Sequence, residues 1–266
     1  MRWIIGDIHG MLRPLQTVLR EVARRDPWSH LLFVGDYVNR GPDAKGVIEL
    51  LLSLKNAHFV RGNHDDIFDL VLHGSCYTPH PTAPDPVRAF CWFMEYGLAE
   101  TFQSYGVDYA QLEHARHKPT PELIRRIGEA VPPRHRVFVR RLAPVIEHDD
   151  LFVAHGVWGA DEPDAALAQA LNADAALRNR LLWGRFGQEI LQKKHWKRTG
   201  YFGHTPVQAL PANLRNADVA TPVKGPKMVM VDTGAAVSPD GRLTAVCAET
   251  GDVVQAERNG TLRACG

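Results

Sequence analysis

Cysteine is sparse, and no two cysteines lie close together: Cys76, Cys91, Cys247 and Cys265 are the four in 266 residues. Without a C-x-x-C pair neither a zinc knot nor a disulfide framework is expected, and reduced, structural thiols fit instead. Long apolar runs are also lacking. The N-terminal MRWIIGDIHG is interrupted at Gly6-Asp7, too soon for a signal-peptide core, and nothing approaches the ~20 apolar residues of a membrane helix. An excess of one charge is lacking as well: 31 Lys and Arg stand against 30 Asp and Glu, a net charge of +1. No global field therefore argues for nucleic acid or a membrane surface. No segment recurs at a fixed period. What these absences leave is a soluble, cytoplasmic globular chain, 45% hydrophobic and long enough for one large core.

One pattern is abundant. Five times a short β-prone run breaks at glycine or alanine and a metal-competent side chain follows at once: RWIIGDIHG (2–10), LLFVGD (31–36), HFVRGNHD (58–65), LFVAHG (151–156) and YFGHT (201–205). Between the first three, MLRPLQTVLREVARR and KGVIELLLSLK place apolar residues three and four apart, as a helix requires. Alternating strands and helices predict parallel strands with crossover connections, whose carboxyl-end loops open on one crevice. All five polar clusters should then meet at one edge. After residue 73 the order changes. The proline-rich YTPHPTAPDP (77–86) leads to VRAFCWFMEYGLAETF and to PTPELIRRIGEAV, where Thr120 is placed to cap a helix with Pro121 in its first turn. We read about 74–148 as an inserted helical cap. From Met228 onward KMVMVDTGAAV, RLTAVCAE and DVVQAER predict a second sheet that closes a layered sandwich. The expected fold class is α/β: two mixed β-sheets flanked by helices, a single domain over 1–266 carrying the cap.

Asp7 and His9 are two apart, so an extended backbone points both the same way, and Gly6 and Gly10 permit a sharp turn beside a ligand. With Asp36, Asn63, His155 and His204 the chain offers six oxygen and nitrogen ligands and no sulfur. That set suits manganese, iron or zinc rather than copper(I) or an iron–sulfur cluster. Six ligands exceed what one ion with an open position takes from a protein. They suit two ions about 3.5–4 Å apart, a geometry used in phosphoester hydrolysis. Singly, each piece has an ordinary explanation: a turn with a surface histidine, an Asx-turn at Asn63, a partly buried His155 or His204. Their joint occurrence at five strand ends outweighs those explanations.

In this order GDIHG, GDYVNRG, RGNHD, AHG and GHT resemble the phosphoprotein-phosphatase family of calcineurin-like metallophosphoesterases, to which the bacterial diadenosine tetraphosphatases are related. The resemblance extends to WFMEYGLAETFQSYG (92–106), LLWGRF (181–186) and VDTGAAV followed by GRLTAV (231–246), and so covers essentially the whole chain. It implies Asp7, His9 and Asp36 on one divalent ion and Asp36, Asn63, His155 and His204 on a second, with Asp36 as the bridge. The implied metal is manganese, with iron or zinc as alternatives. A hydroxide between the ions would attack phosphorus in line. His64 corresponds to the general acid that protonates the departing oxygen, and Arg40 and Arg185 to arginines that hold the phosphate. The implied substrate is a phosphorylated protein (Ser/Thr or Tyr) or a small phosphomonoester; the alternative is a dinucleotide polyphosphate such as diadenosine tetraphosphate. GDYV, KGVIELL, FQSYG, LLWGRF and GHTP favour the bacterial protein-phosphatase-like branch, whereas Asp65 matches the tetraphosphatases. Gly203-His204-Thr205-Pro206 differs from the G-H-x-H of nuclease relatives.

The resemblance breaks at Asn39, where many relatives have an aspartate paired with the acid histidine. Asparagine can accept a hydrogen bond from the imidazole but supplies no negative charge to raise its pKa. His64 is therefore expected to be more often neutral, with turnover weaker on alkyl phosphoesters than on esters with good leaving groups. One local charge bias exists. Between His114 and Arg141, eight Lys and Arg face two acids, Glu122 and Glu129. If this stretch faced the metal edge it would steer polyanions; the simpler expectation is a solvated helix face balanced by EHDD at 147–150. With Phe138 its one aromatic, it lacks the stacking residues that single-stranded nucleic acid needs.

Overall fold

Short apolar runs with residues alternating between two faces become strands buried on both sides, and the chain pairs them in two sheets. The computed structural model describes residues 1–74, 82–156, 175–185 and 196–263. Strands β1 (Arg2–Ile5), β2 (His30–Phe33) and β3 (Ala57–Phe59) are parallel neighbours connected through α1 (Leu12–Arg25) and α2 (Ala44–Ser53). Leu15, Val18 and Val22 form the buried stripe of α1. Asp43 caps α2 by accepting the Gly46 N–H at 2.7 Å. Beyond β3, α3 (Asn63–His73) starts immediately after Gly62.

Next come α4 (Pro86–Phe93), a 3-10 turn at Met94–Tyr96, α5 (Leu98–Ser104), α6 (Tyr109–His117), α7 (Pro121–Gly128) and α8 (Pro133–Arg140). Thr120 caps α7, its hydroxyl accepting the Leu123 N–H at 3.2 Å. Phe90, Phe93, Phe102 and Phe138 carry this helical segment into the core shared with β1, β2 and α3. The segment expected to be helical to residue 148 ends as β4 (Val145–Glu147), which pairs antiparallel with β5 (Leu151–Ala154). The remaining described elements are α9 (Ala175–Trp183), β6 (Thr199–Phe202), 3-10 turns at Val207–Ala209 and Ala212–Leu214, β7 (Val223–Gly225), β8 (Met228–Met230), β9 (Arg242–Cys247), β10 (Val253–Glu257) and β11 (Leu262–Arg263).

The sheet orders are β11-β10-β9-β1-β2-β3 and β4-β5-β6-β8-β7, both mixed. The C-terminal β-rich stretch therefore does not form the second sheet by itself. β9 takes the free edge of β1, antiparallel with Trp3 opposite Cys247 and Ile5 opposite Ala245, and β10 and β11 extend it. With that edge filled, β5 pairs with β6 and β6 with β8, all parallel, in the other layer. Alternation along each strand builds the layers. Ile4, Leu32, Val153, Tyr201, Val229 and Val246 lie between the sheets. Trp3, Ile5 and Phe33 join the core on the side of α1, α2 and α3, while Phe152, Phe202 and Met230 pack with Leu177 and Leu181 of α9. Among the described residues no helix is long and apolar enough to cross a membrane. Cys91 and Cys247 are free thiols. Cys76, Cys265, Phe186 and the first part of the proline-rich loop fall outside the described residues.

Candidate metal centre and active site

The strand ends of both sheets bring the five polar clusters to one place, and main-chain hydrogen bonds lock them there. The N–H groups of Ile8 and His9 both donate to the Asp36 carbonyl, at 3.1 and 2.8 Å. The Gly203 N–H donates to the His155 carbonyl at 3.0 Å, joining the ends of β5 and β6. Two carboxylates reach across: Asp36 Oδ1 accepts the His64 N–H at 2.9 Å and Asp7 Oδ2 the His204 N–H at 3.0 Å. Such approach needs glycine. A Cβ on Gly62 would strike the Asp36 carboxylate, and one on Gly203 would strike Asp7 Oδ1. Among the described residues, every non-glycine with positive φ belongs to the expected site: His9 (46°), Asp36 (57°), Asn39 (70°), Arg40 (65°) and His204 (66°). Backbone strain of this kind persists only where surrounding structure holds it, and it concentrates at functional sites.

All six expected ligands are buried. Asp36 sits between two histidines, with Oδ2 3.4 Å from His9 Nε2 and Oδ1 3.4 Å from His155 Nε2. Each ring's other nitrogen is anchored: His9 Nδ1–H donates to the Val38 carbonyl at 3.0 Å and His155 Nδ1–H to the Val34 carbonyl at 2.9 Å. That anchoring fixes both rings so that their Nε2 atoms point inward, as ligating histidines are commonly held. Asn63 Oδ1 lies 3.0 Å from both His155 Nε2 and His204 Nδ1. Two trios have donor atoms within 4.8 Å of one another, His9 with Asp36 and His64, and Asp7 with Asp36 and His155; Asp36 is common to both. Asp7 Oδ1 is buried and has no hydrogen-bond partner among the described residues. An unpartnered carboxylate oxygen amid oriented nitrogen and oxygen donors fits divalent cations.

The electrostatics point the same way. Burial, then the carboxyl of Asp232, pushes Asp7 well above the usual carboxylate range. Asp232, at the end of β8, is itself raised to about 6, chiefly by burial. For Asp36 burial is outweighed by the imidazoles of His155, His64 and His9, which hold it well below its ordinary value. In return Asp36 overcomes burial at His155 and lifts it to about 9. Burial lowers His9 to about 4, with Arg40 adding to it, and His204 to about 3, with His155 adding to it. Like carboxyls crowded in a dry pocket are what a bound cation relieves.

Arg40, Arg185 and His64 open onto the same cleft as His9, Asp36, Asn63 and His204. Arg40 Nη2 lies 3.2 Å from His64 Nε2. Arg40 is seated by a break in the aromatic helical segment: Gly97, at φ 87°, accepts the Arg40 N–H at 3.2 Å and its lack of Cβ admits the Arg40 backbone. The rest of the cleft is aromatic, with Trp92 stacked on Trp183 at 5.4 Å and Phe93 edge-on to His64 at 5.0 Å. Burial, then His9 and Arg40, pushes His64 well below its ordinary value against the opposing carboxylate of Asp36.

Asn39 contacts His64 in the opposite sense to the one expected. Its Nδ2 faces His64 Nδ1 at 2.9 Å, because its Oδ1 is occupied by the Thr101 hydroxyl at 2.9 Å. Thr101 carried no signal in the sequence beyond lying inside a family-like stretch. Asp65 does not face His64 at all: its carboxylate accepts the N–H groups of Asp36 (2.8 Å), Gly62 (2.9 Å) and Tyr37 (2.9 Å), tying the start of α3 to the loop after β2. Asp232 is not among the expected site residues, although MVMVD repeats the pattern of an apolar run followed by a ligand-type side chain.

The basic stretch plays no part here. None of its eight Lys and Arg lines the cleft. Arg125 pairs with Glu122 and Glu129, Arg134 with Glu49, and Arg116 with Glu95 and Glu113. EHDD does not balance them: Asp150 is bound to Arg2, and Glu147 to Arg198.

Residues 2–178 match the family model for calcineurin-like phosphoesterases. The chain belongs to that family. Curated relatives include the symmetrical bis(5'-nucleosyl)-tetraphosphatase of Cellvibrio japonicus, 28% identical over 95% of this chain and 97% of that protein. The same-named protein of Shewanella frigidimarina is 28% identical over 65% of this chain and 58% of its own length. Serine/threonine-protein phosphatase 1 of Salmonella typhimurium is 30% identical over 91% of this chain and 89% of its own. Among solved structures, a putative diadenosine tetraphosphatase shares the fold, with a TM-score of 0.54 at 20% identity over 96% of this chain and 92% of that one. This calcineurin-like phosphoesterase is a phosphoric ester hydrolase with the two-sheet α/β fold of its relatives.

Proposed function

We propose that the protein hydrolyses phosphoesters with two divalent cations held by Asp7, His9, Asp36, Asn63, His155 and His204. The supporting observation is the placement of Asp36, one carboxylate oxygen toward His9 and the other toward His155, in the cleft that also contains His64, Arg40 and Arg185. Two cations, manganese in the first instance and iron or zinc as alternatives, supply an activated water and offset phosphoryl charge when bound. The protein's own groups do the rest. The guanidinium groups of Arg40 and Arg185 bind phosphoryl oxygens in pairs. His64 Nε2 meets the departing oxygen, and Asn39 orients the ring. The aromatic wall at Trp92 and Trp183 excludes water from that side. Residues 1–266 act as one domain in the cytoplasm, where the thiols of Cys91 and Cys247 stay reduced.

The substrate we place first is a phosphorylated protein or a small phosphomonoester, and the wall beside His64 favours an aromatic leaving group. The second reading, hydrolysis of a dinucleotide polyphosphate, is supported by the relative from Cellvibrio japonicus that aligns along nearly the whole chain. Manganese-loaded protein assayed on phosphoserine peptide, phosphotyrosine peptide, diadenosine tetraphosphate and a nucleoside monophosphate separates these by the ranking of kcat/KM. Chelation should abolish phosphate release and manganese restore it. Unchanged release in Asn63→Ala or His204→Ala would overturn the metal assignment.

A further inference from the structure

Asn39 and Arg40 are consecutive non-glycine residues in the left-handed region, at φ 70° and 65°. An arginine gains nothing locally from that conformation, so surrounding structure must hold it. The loop of His9 holds one side: the Gly41 N–H donates to the His9 carbonyl at 2.9 Å and the Asp43 N–H to the Gly10 carbonyl at 3.1 Å. One stripe of α5 holds the other. Gly97 at its N-cap, Thr101 and Ser104 stand four and three residues apart, a spacing that places them on one helix face. The Gly97 carbonyl accepts the Arg40 N–H at 3.2 Å, and the Ser104 hydroxyl accepts the Lys45 N–H at 3.1 Å. Between them the Thr101 hydroxyl accepts the Asn39 N–H at 2.8 Å and gives its proton to Asn39 Oδ1 at 2.9 Å. Ser104 in turn donates to the Thr101 carbonyl at 2.6 Å. Three main-chain N–H groups from residues 39–45 thus end on this stripe. Asn39 and Thr101 are fully buried, so water does not replace a lost partner there. The side chain held in this way reaches the cleft, where Arg40 Nη2 lies 3.2 Å from His64 Nε2.

We infer that Gly97, Thr101 and Ser104 are positioning residues for Arg40: they fix the left-handed backbone at residues 39 and 40, and with it the point from which the guanidinium meets a phosphoryl oxygen. The role assigned to the stripe rests on the reading of Arg40 as a phosphate-holding group. A guanidinium fork pairs with two oxygens only over a narrow range of angles, so its anchor matters. Released from the stripe, the loop can relax toward the right-handed region and carry the side chain off the cleft. The phosphoryl group is common to every substrate considered above. The stripe should therefore govern phosphate affinity rather than the choice of leaving group.

Inorganic phosphate is the probe, because its binding involves neither a leaving group nor a proton transfer. Calorimetric titration of phosphate into the manganese-loaded full chain should give Thr101→Val a Kd about tenfold above wild type, and Thr101→Ser, which keeps the hydroxyl, a Kd within about twofold. Manganese affinity should change less than about twofold in both; a loss there as large as the loss of phosphate affinity would place the effect on the metal centre and overturn the assignment. In an Arg40→Ala background, Thr101→Val should weaken phosphate by less than a further factor of about two, because its effect passes through Arg40. An unchanged Kd in Thr101→Val, or the same tenfold loss in both backgrounds, overturns the role of the stripe and leaves the reading of Arg40 intact. Arg40→Ala with the wild-type Kd removes that reading and the stripe's role with it. Should Thr101→Val fail to fold, Ser104→Ala serves in its place, with a Kd raised about threefold in the wild-type background and unchanged in Arg40→Ala. A wild-type Kd in Ser104→Ala would then overturn the assignment.

Discussion

Asn39 has φ 70°, a region that asparagine and aspartate tolerate at little cost, so exchanging one for the other keeps the turn and alters mainly the charge. In Asn39→Asp the Thr101 hydroxyl retains its acceptor, and the second carboxylate oxygen faces His64 Nδ1, which must then carry a proton. A carboxylate there also favours the imidazolium, a full acid rather than a hydrogen-bond donor. The expected outcome is a rise in kcat/KM on a phosphoserine peptide relative to an aryl phosphate, on the order of tenfold in the ratio. A ratio that does not move would show that Asn39 is not what limits alkyl esters. The magnitude rests on a single contact at 2.9 Å between groups that are both buried, where water cannot substitute for the lost partner.

Elements carry the next level of constraint, and α3 carries the most. Its first residues are Asn63 and His64, and Asp65 uses its whole carboxylate on three main-chain N–H groups that define where Asp36 lies. In Asp65→Asn one oxygen becomes an NH2 facing an N–H, leaving a buried donor unmatched. The expected loss is about 1–3 kcal/mol of stability, read from denaturant midpoints, together with reduced phosphate release because Asp36 shifts. A variant with both properties of wild type would show that the backbone holds Asp36 unaided. On α1, Glu21 binds Arg24 through Nε and Nη2 at 2.8 Å and Arg25 Nε at 2.7 Å, and these partners lower it from 4.5 to about 2. The folded value lies below the unfolded one, so the contribution is complete above about 4.5 and lost as pH falls toward about 2. Wild type should therefore be more stable than Glu21→Gln at neutral pH, with the gap narrowing between about pH 5 and pH 3 in denaturation curves. A gap constant with pH would assign the difference to packing. Elements also mark the limit of what the chain's text discloses. The strand ends and their ligand-type side chains are legible because an apolar run stopped by glycine is a local pattern. Sheet membership is not: β5 and β9 are both short apolar runs, and which one joins β1 depends on register and on the edge left open. The contact of Thr101 with Asn39 is invisible for the same reason, since it forms only when α5 docks beside the loop after β2.

At the scale of the whole molecule, two sheets contribute carboxyls to a site that folding alone does not favour. Asp7 and Asp36 come from β1 and β2, Asp232 from β8, and all three are buried. Burial and Asp232 keep Asp7 well above the ordinary carboxylate range, which makes its charged form a cost to the metal-free fold. Cations that bind only the folded chain return stability as RT ln(1 + [L]/Kd), about 2.7 kcal/mol at a hundred times Kd. Asp7→Asn removes the charge while an amide oxygen can still accept the His204 N–H. Metal-free Asp7→Asn should thus melt above metal-free wild type, gain less on addition of manganese, and release no phosphate at a measurable fraction of the wild-type rate. Calorimetric scans of both proteins, with chelator and with manganese, decide it. A variant that melts lower than wild type without metal, yet gains as much with it, would mean that Asp7 stabilises the junction of the sheets rather than holding a cation. The opposite pattern would show function maintained at the expense of the fold, the trade expected where a strained, charge-dense site is built at the meeting point of two layers.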